Sequence, residues 1–165
     1  MRLLIILPLL SALFSPQIHA QSCEGVLTAT RYKTFANGTV LDKKSGLIWM
    51  RCALGQVWNG TTCTGFATPM NWETALIAAK VANFVGKTDW RVPNHKELLS
   101  LVETQCFAPS INPVAFPGAT IDRYWSSTPY VSGQDSAWSI WFTHGFDSAS
   151  TKISLNAVRL VRNDN

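Results

Sequence analysis

Few side chains in this sequence are placed for catalysis. Outside the N-terminal segment the histidines are His95, expected on the first turn of a helix, and His144, expected at the end of a strand. Either imidazole could activate one of the many serines, but no G-x-S-x-G sequence accompanies them. Glu97 and Glu103 lie on different faces of one predicted helix, so the sequence reveals no glycosidase pair. We predict that both histidines are surface residues and that the protein is not an enzyme.

The chain has four cysteines outside its N-terminal segment, namely Cys23, Cys52, Cys63 and Cys106. The N-terminal segment is predicted below to be an export signal, and an even number of cysteines in an exported chain is typical of disulfides. Three pairings are possible. Cys52 and Cys63 flank a short polar stretch rich in Gly, Asn and Thr, which favours a local disulfide and leaves Cys23 to pair with Cys106. A zinc site would need closely spaced cysteines such as C-x-x-C, and none is present. No D-x-D-x-D-G run for calcium occurs either, so we expect no metal and no cofactor.

Three arginines are the candidates for binding an anion. Arg91 precedes a predicted helix, whereas Arg159 and Arg162 lie in the last predicted strand and face opposite sides of it. In one interpretation an arginine forms a partly buried ion pair with Asp89 or Glu97 and anchors the last strand. In the other, the arginines form a sulfate- or carboxylate-binding patch on a glycan-facing surface. The sequence leaves both interpretations open.

Trp58 is the aromatic candidate for binding. The chain has 7 tryptophans, and most should lie in the core because indole rings bury large areas. Trp58 instead lies between Cys52 and Cys63, in the polar stretch. An exposed ring there could stack on a sugar or a partner protein, or it could pin the loop to the body of the domain.

Length and composition predict one exported domain. The chain has 165 residues, of which 47% are hydrophobic and 15% charged, with a net charge of +4. Arg2, the apolar run over residues 3–14 and Ala20 predict a signal peptide over residues 1–20 and a single domain over 21–165, located in the periplasm, on the cell surface or outside the cell. No Lys/Arg cluster indicates nucleic-acid binding, and no later apolar run is long enough to span a membrane.

The elements that position these residues are predicted to be strands, two helices and further strands. Asn37-Gly38 is a strong hairpin signal, Asn71 can cap a helix, and Asn94 with Glu97 resembles a capping box. The predicted strands are 31–35, 39–42, 47–50, 124–128, 137–143 and 157–162, and loops are expected at 131–136 and 145–152. The first helix runs from 71 to about 84, with Gly86 at the C-cap; the second begins at 94, has its apolar stripe through Val102 and ends near Cys106. This order predicts an α+β domain with two helices packed on antiparallel strands and reinforced by disulfides.

Six short motifs occur in order along the chain. They are GTVLD at 38–42, SGLIWMR at 45–51, NWExA at 71–75, DWRVPNxxEL at 89–98, YWSST at 124–128 and VRLVR at 158–162. Over about residues 30–162 the chain therefore resembles the C-terminal domain family of the Legionella collagen-like adhesin, a bacterial domain of unknown function.

The resemblance implies a secreted or surface-exposed domain with a C-type-lectin-like fold, and it implies a homotrimer and the binding of sulfated glycosaminoglycans. This chain has no collagen-like Gly-x-y region and lacks the calcium-dependent sugar motifs of animal C-type lectins. We expect a non-enzymatic recognition domain that binds a surface glycan or an envelope protein, with Trp58, Arg91, Arg159 and Arg162 as ligand-binding candidates. The alternatives are a structural component of a pilus or envelope complex and, third, an enzyme that acts on cell-wall or glycan material.

Overall fold

Short strands and two helices form the described part of the chain. The computed structural model describes Cys23, residues 30–120 and residues 122–164, so the predicted signal peptide lies outside the described residues. The strands are β1 (Tyr32–Thr34), β2 (Thr39–Asp42), β3 (Leu47–Met50), β4 (Val57–Trp58), β5 (Cys63–Thr64), β6 (Arg123–Pro129), β7 (Ser136–Trp141), β8 (Phe146–Thr151) and β9 (Val161–Asn163). The helices are α1 (Trp72–Lys80) and α2 (His95–Leu99). The predicted α+β class is confirmed.

A four-stranded antiparallel sheet, in the order β1-β2-β3-β9, joins both ends of the described chain. The predicted hairpin between β1 and β2 is present, and Gly38 in its turn has a φ of +85°, which glycine adopts without strain. Val40 and Trp49 are register partners on β2 and β3, and both are fully buried. This sheet therefore supplies one wall of the core and brings β9 beside β3.

The second main sheet has the order β6-β7-β8, and the prediction of a loop over 145–152 is wrong because β8 occupies that segment. β8 pairs with β7 along its whole length, from the Trp141–Phe146 pair to the Ser136–Thr151 pair. It is an edge strand with mostly exposed polar side chains. Such a composition is typical of loops, which is why the polar pattern misled the prediction.

Both predicted helix starts are confirmed, but both helices end early. The Oδ1 of Asn71 accepts a hydrogen bond from the backbone of Thr74, and Asn94 with Glu97 forms the complete capping box. α1 ends at Lys80 because the chain turns into a two-residue hairpin, in which Gly86 is a turn residue and not the C-cap. Neither helix of the described residues is long and apolar enough to cross a membrane.

Helix α2 ends at Leu99 instead of continuing through Val102. Leu101 turns into the core, where it is fully buried, and Val102 pairs with Ile111 in an isolated bridge. The apolar residues that suggested a longer helical stripe are therefore buried by a turn and a bridge.

Two disulfides tie the loops to this body, in the pairing that the sequence favoured. Cys52 bonds to Cys63 across the polar stretch, and Cys23 bonds to Cys106, joining positions 83 residues apart. The described chain contains no free cysteine.

The segment predicted as the last strand is only partly a strand. Strand β9 begins at Val161, and residues 157–160 instead run extended between three elements. Their carbonyl groups accept hydrogen bonds from the backbone of Trp125, Leu54 and Met50 in turn. Both sides of this segment are therefore covered, and every residue from 157 to 162 is buried.

Candidate functional site

Arg159 lies inside the domain. Its exposed fraction is 0%, its Nη1 donates to the carbonyl groups of Met50 and Arg51, and its Cζ lies 4.8 Å from the ring centroid of Phe116 and 5.6 Å from that of Tyr124. Burial lowers the pKa of Arg159. The prediction that Arg159 binds a surface ligand is wrong, because the segment that carries it is covered on both sides.

Arg91 and Arg162 form the ion pairs of the first interpretation. The Nε of Arg162 lies 2.9 and 3.1 Å from the two carboxylate oxygens of Asp89, and Arg91 forms a bidentate pair with Glu97 at 2.7 and 2.8 Å. Partial burial by itself raises the pKa of Glu97, but hydrogen bonds from Arg91 and from the backbone of Asn94 lower it overall. Both arginines thus anchor the segment between the helices, which removes Arg91 as a free cation.

Trp58 pins the disulfide loop to the sheet. Its Nε1 donates to the carbonyl oxygen of Ala36 at 2.8 Å, and the guanidinium of Arg51 lies 4.2 Å from its ring centroid. The ring packs so closely on the β1–β2 turn that a Cβ at Gly38 would lie 2.8 Å from its Cγ. With one face covered by Arg51 and one edge against the turn, the indole acts as an anchor.

Of the two predicted surface histidines, His144 is exposed as predicted, whereas His95 is half-buried. The Nε2 of His95 lies 2.7 Å from Oδ2 of Asp147, and its ring stacks on Trp138 with centroids 4.3 Å apart. No hydroxyl or thiol side chain hydrogen-bonds to this ring among the described residues, so the pair lacks a nucleophile. His144 contacts the rings of Phe107 and Trp141.

A cleft of about 490 Å³ opens where β6 begins, where β7 ends and where the segment before β9 passes. We name it the Asn156 cleft; it is lined by Pro69, Asp122, Arg123, Trp141, Thr143, Leu155, Asn156 and Ala157. Its wall is fixed by backbone pairing, since Met70 and Asn156 exchange hydrogen bonds of 2.9 and 3.0 Å. The cleft combines amide, carboxylate, guanidinium and indole groups in one place.

Asn156 carries a buried donor that the protein does not satisfy. The residue is 7% exposed, and its Nδ2 has no hydrogen-bond partner. Leaving such a donor unpaired costs about 1–3 kcal/mol relative to a satisfied one. Because the Nδ2 atom is itself buried, a ligand oxygen in the cleft would recover that energy only if the amide turns toward the cleft.

Arg123 is a positioned cation in the same cleft. Its guanidinium lies 4.7 Å from the ring centroid of Trp141 and donates to the hydroxyl of Ser148. It forms no ion pair with a carboxylate of the described residues. The other arginines of this part of the chain pair with carboxylates or donate to carbonyl groups, namely Arg31, Arg51, Arg91, Arg159 and Arg162.

An exposed aromatic group continues from the cleft along the β7–β8 turn. The rings of Trp141 and His144 have centroids 4.5 Å apart, and His144 is parallel to Phe146 at 6.0 Å. Phe107 and Phe146 are 66% and 65% exposed. Flat apolar rings therefore lie next to the polar cleft.

Comparison with protein families decides the relationship suggested by the six motifs. A family model described as the Lcl C-terminal domain matches residues 38–162. The chain belongs to the Lcl C-terminal domain family. Comparison with curated proteins finds no match. The Lcl C-terminal domain match spans every residue that lines the Asn156 cleft, so the cleft is part of the family domain.

In this Lcl C-terminal domain the sequence did not reveal Arg123 and Asn156 as site residues. They are 33 positions apart and meet only because the segment before β9 crosses the start of β6. Neither residue lies within one of the six motifs, so no local signal in the sequence singled it out. No group of three or more His, Cys, Asp or Glu side chains among the described residues could hold a metal ion.

Proposed function

We propose that this Lcl C-terminal domain is an exported, non-enzymatic recognition domain that binds a surface glycan in the Asn156 cleft. Its fold is of the C-type-lectin-like kind that the family resemblance implies. The two disulfides support export, since disulfides persist in oxidising compartments. The single observation that carries the proposal is the unpartnered, buried amide of Asn156 in an open cleft.

The lining of the cleft suits a sugar. The Asn156 amide would donate to a hydroxyl or ring oxygen, and the carboxylate of Asp122 would accept from a hydroxyl. Arg123 would bind an anionic substituent such as a sulfate, because guanidinium groups donate in a fork that matches such oxyanions. Stacking on Trp141 holds Arg123 in place before the ligand arrives, which reduces the entropy lost on binding.

The test compares heparin with chemically desulfated heparin in binding to the full-length exported protein. Arg123→Gln should weaken heparin binding about tenfold or more, because a hydrogen bond to a charged group is lost. Lys43→Gln is the matched control, since it removes the same charge from an exposed turn far from the cleft in sequence. Asn156→Asp, which replaces the donor with an acceptor, should weaken binding of both polymers.

The proposal fails if Arg123→Gln and Lys43→Gln reduce heparin binding equally, because binding would then follow net charge alone. It also fails if Asn156→Asp binds both polymers as the parent protein does, provided that circular dichroism shows the variant to be folded.

A second candidate function, assembly with an envelope protein, is favoured by the exposed rings of Phe107 and Phe146. In that case Phe146→Ser would abolish capture of a partner from intact envelope and leave heparin binding unchanged. Under the glycan proposal the same variant changes only the affinity for longer glycans that reach the aromatic group. The enzyme alternative has no support beyond the His95–Asp147 pair.

A further inference from the structure

We propose that a second, separate pocket binds a small amphipathic anion, with its carboxylate or sulfate on Arg162 and its apolar body against Ile48 and Trp90. This pocket of about 280 Å³ lies beside the β1–β2 turn, between the sheet and the hairpin that follows α1. We name it the Arg162 pocket. It shares no lining residue with the Asn156 cleft and does not depend on the glycan proposal.

Arg162 offers an unpaired donor edge to this pocket. Its side chain is only 6% exposed, and both of its hydrogen bonds run from Nε to the carboxylate of Asp89. The two terminal amino groups make no hydrogen bond with the described residues. Asp89 therefore fixes the plane of the guanidinium and leaves its outer edge for an acceptor. A carboxylate or sulfate fits that edge because it accepts two parallel hydrogen bonds.

The floor of the pocket is apolar. Trp90 is 3% exposed, and its Nε1 already donates to the carbonyl oxygen of Phe84 at 3.2 Å. The indole consequently presents no spare polar group, and neither does Ile48. Lys87 at the rim adds a second cation, whereas Asp164 at the rim opposes an anion. A ligand that fits both the donor edge of Arg162 and the apolar floor has one anionic end and one apolar body.

The rim contains a strained residue. Val85 has a φ of +52° and precedes Gly86 at +71° in the two-residue turn of the Phe84–Lys87 hairpin. Such turns favour Asn-Gly or Gly-Gly, and a β-branched residue with positive φ is a marked outlier. Strain of this kind is concentrated at ligand-binding sites. Here it places a branched apolar side chain, 42% exposed, at the edge of the pocket.

The test is an NMR titration of the full-length protein with 2-naphthoate, 2-naphthalenesulfonate and uncharged 2-naphthol. Both anions should cause saturable shifts at the Trp90 indole and the Ile48 and Val85 methyl groups, and naphthol should bind about tenfold more weakly or worse, because it cannot accept a bidentate pair from Arg162. Lys87→Gln should weaken the anions about two- to fivefold, and Asp164→Asn should strengthen them by a similar factor.

Two further variants separate binding from folding. Arg162→Gln should abolish the preference for the two anions over naphthol. If the Arg162→Gln protein does not fold, the test relies on Lys87→Gln and Asp164→Asn, which should change the affinity for the anions in opposite directions. Val85→Asn should raise the melting temperature while it weakens all three probes. The proposal is overturned if no probe saturates, if naphthol binds as tightly as the anions, if neither rim variant changes affinity, or if the shifts map to the Asn156 cleft instead.

Discussion

The buried carboxylate of Asp42 should be among the most sensitive positions for stability. Its side chain is 0% exposed and accepts four hydrogen bonds, from Nε and Nη2 of Arg31 at 3.0 and 2.9 Å, from the backbone of Lys44 at 3.0 Å and from the hydroxyl of Ser45 at 2.9 Å. Asp42→Asn exchanges one acceptor oxygen for an amino group that faces existing donors. Breaking a buried charge pair in this way should lower the free energy of unfolding by about 3–5 kcal/mol.

Glu103→Gln is the matched control, because Glu103 contacts the same arginine. Its Oε1 lies 3.5 Å from Nη1 of Arg31, and its side chain is 24% exposed, so the loss should be only about 0–1 kcal/mol. Urea unfolding at neutral pH, followed by tryptophan fluorescence, measures both free energies by linear extrapolation. If Asp42→Asn costs no more than Glu103→Gln, burial of the carboxylate does not have the energetic role assigned to it.

Three further outcomes are expected. The pKa values of Asp42 and Glu97 are lowered in the folded protein. The stability that these carboxylates contribute is therefore complete above the pKa of the unfolded groups and is lost as the pH falls below about 4. The urea midpoint of unfolding should drop in that pH range, and it should drop less in Asp42→Asn. Gly46→Ala should lower the free energy of unfolding by about 1–2 kcal/mol, because alanine is strained at a positive φ. Gly55→Ala should lower it further, because its Cβ would also lie 2.2 Å from Oγ1 of Thr68. The melting temperatures of the two variants in thermal unfolding test this order. Replacing both cysteines of a disulfide by serine should lower the free energy of unfolding by about 4.5 kcal/mol for Cys23–Cys106, which spans 83 residues, and by about 2.8 kcal/mol for Cys52–Cys63, which spans 11. Urea unfolding measures both losses.

Local signals in the sequence predicted local structure well. The Asn37-Gly38 turn, the cap at Asn71 and the capping box of Asn94 with Glu97 depend on side chains and backbone groups within a few residues of each other. Their chemistry is therefore complete in the sequence. The ion pair between Arg162 and Asp89 also agrees with the sequence analysis, which named Asp89 as one of two possible partners for an arginine.

Features set by long-range packing could not be read in the same way. The strand pattern placed Arg159 and Arg162 on opposite faces, but it gave no information on whether each face was covered. The polar residues of β8 pair with β7 only because the Gly145 turn folds them back. The amide of Asn156 becomes a site only through its position beside Arg123, which no spacing rule predicts.

The edge position of β8 has a consequence for the protein at high concentration. An unpaired strand edge can add strands from other molecules and so seed fibres. Along this edge the side chains are mainly serine, threonine and aspartate, and Asp147 carries a carboxylate at 38% exposure. Charged side chains on an edge strand oppose such pairing, and steric zippers favour segments of low net charge. The carboxylate of Asp147 therefore helps β8 to lie open on the surface without turning neighbouring copies into a polymer.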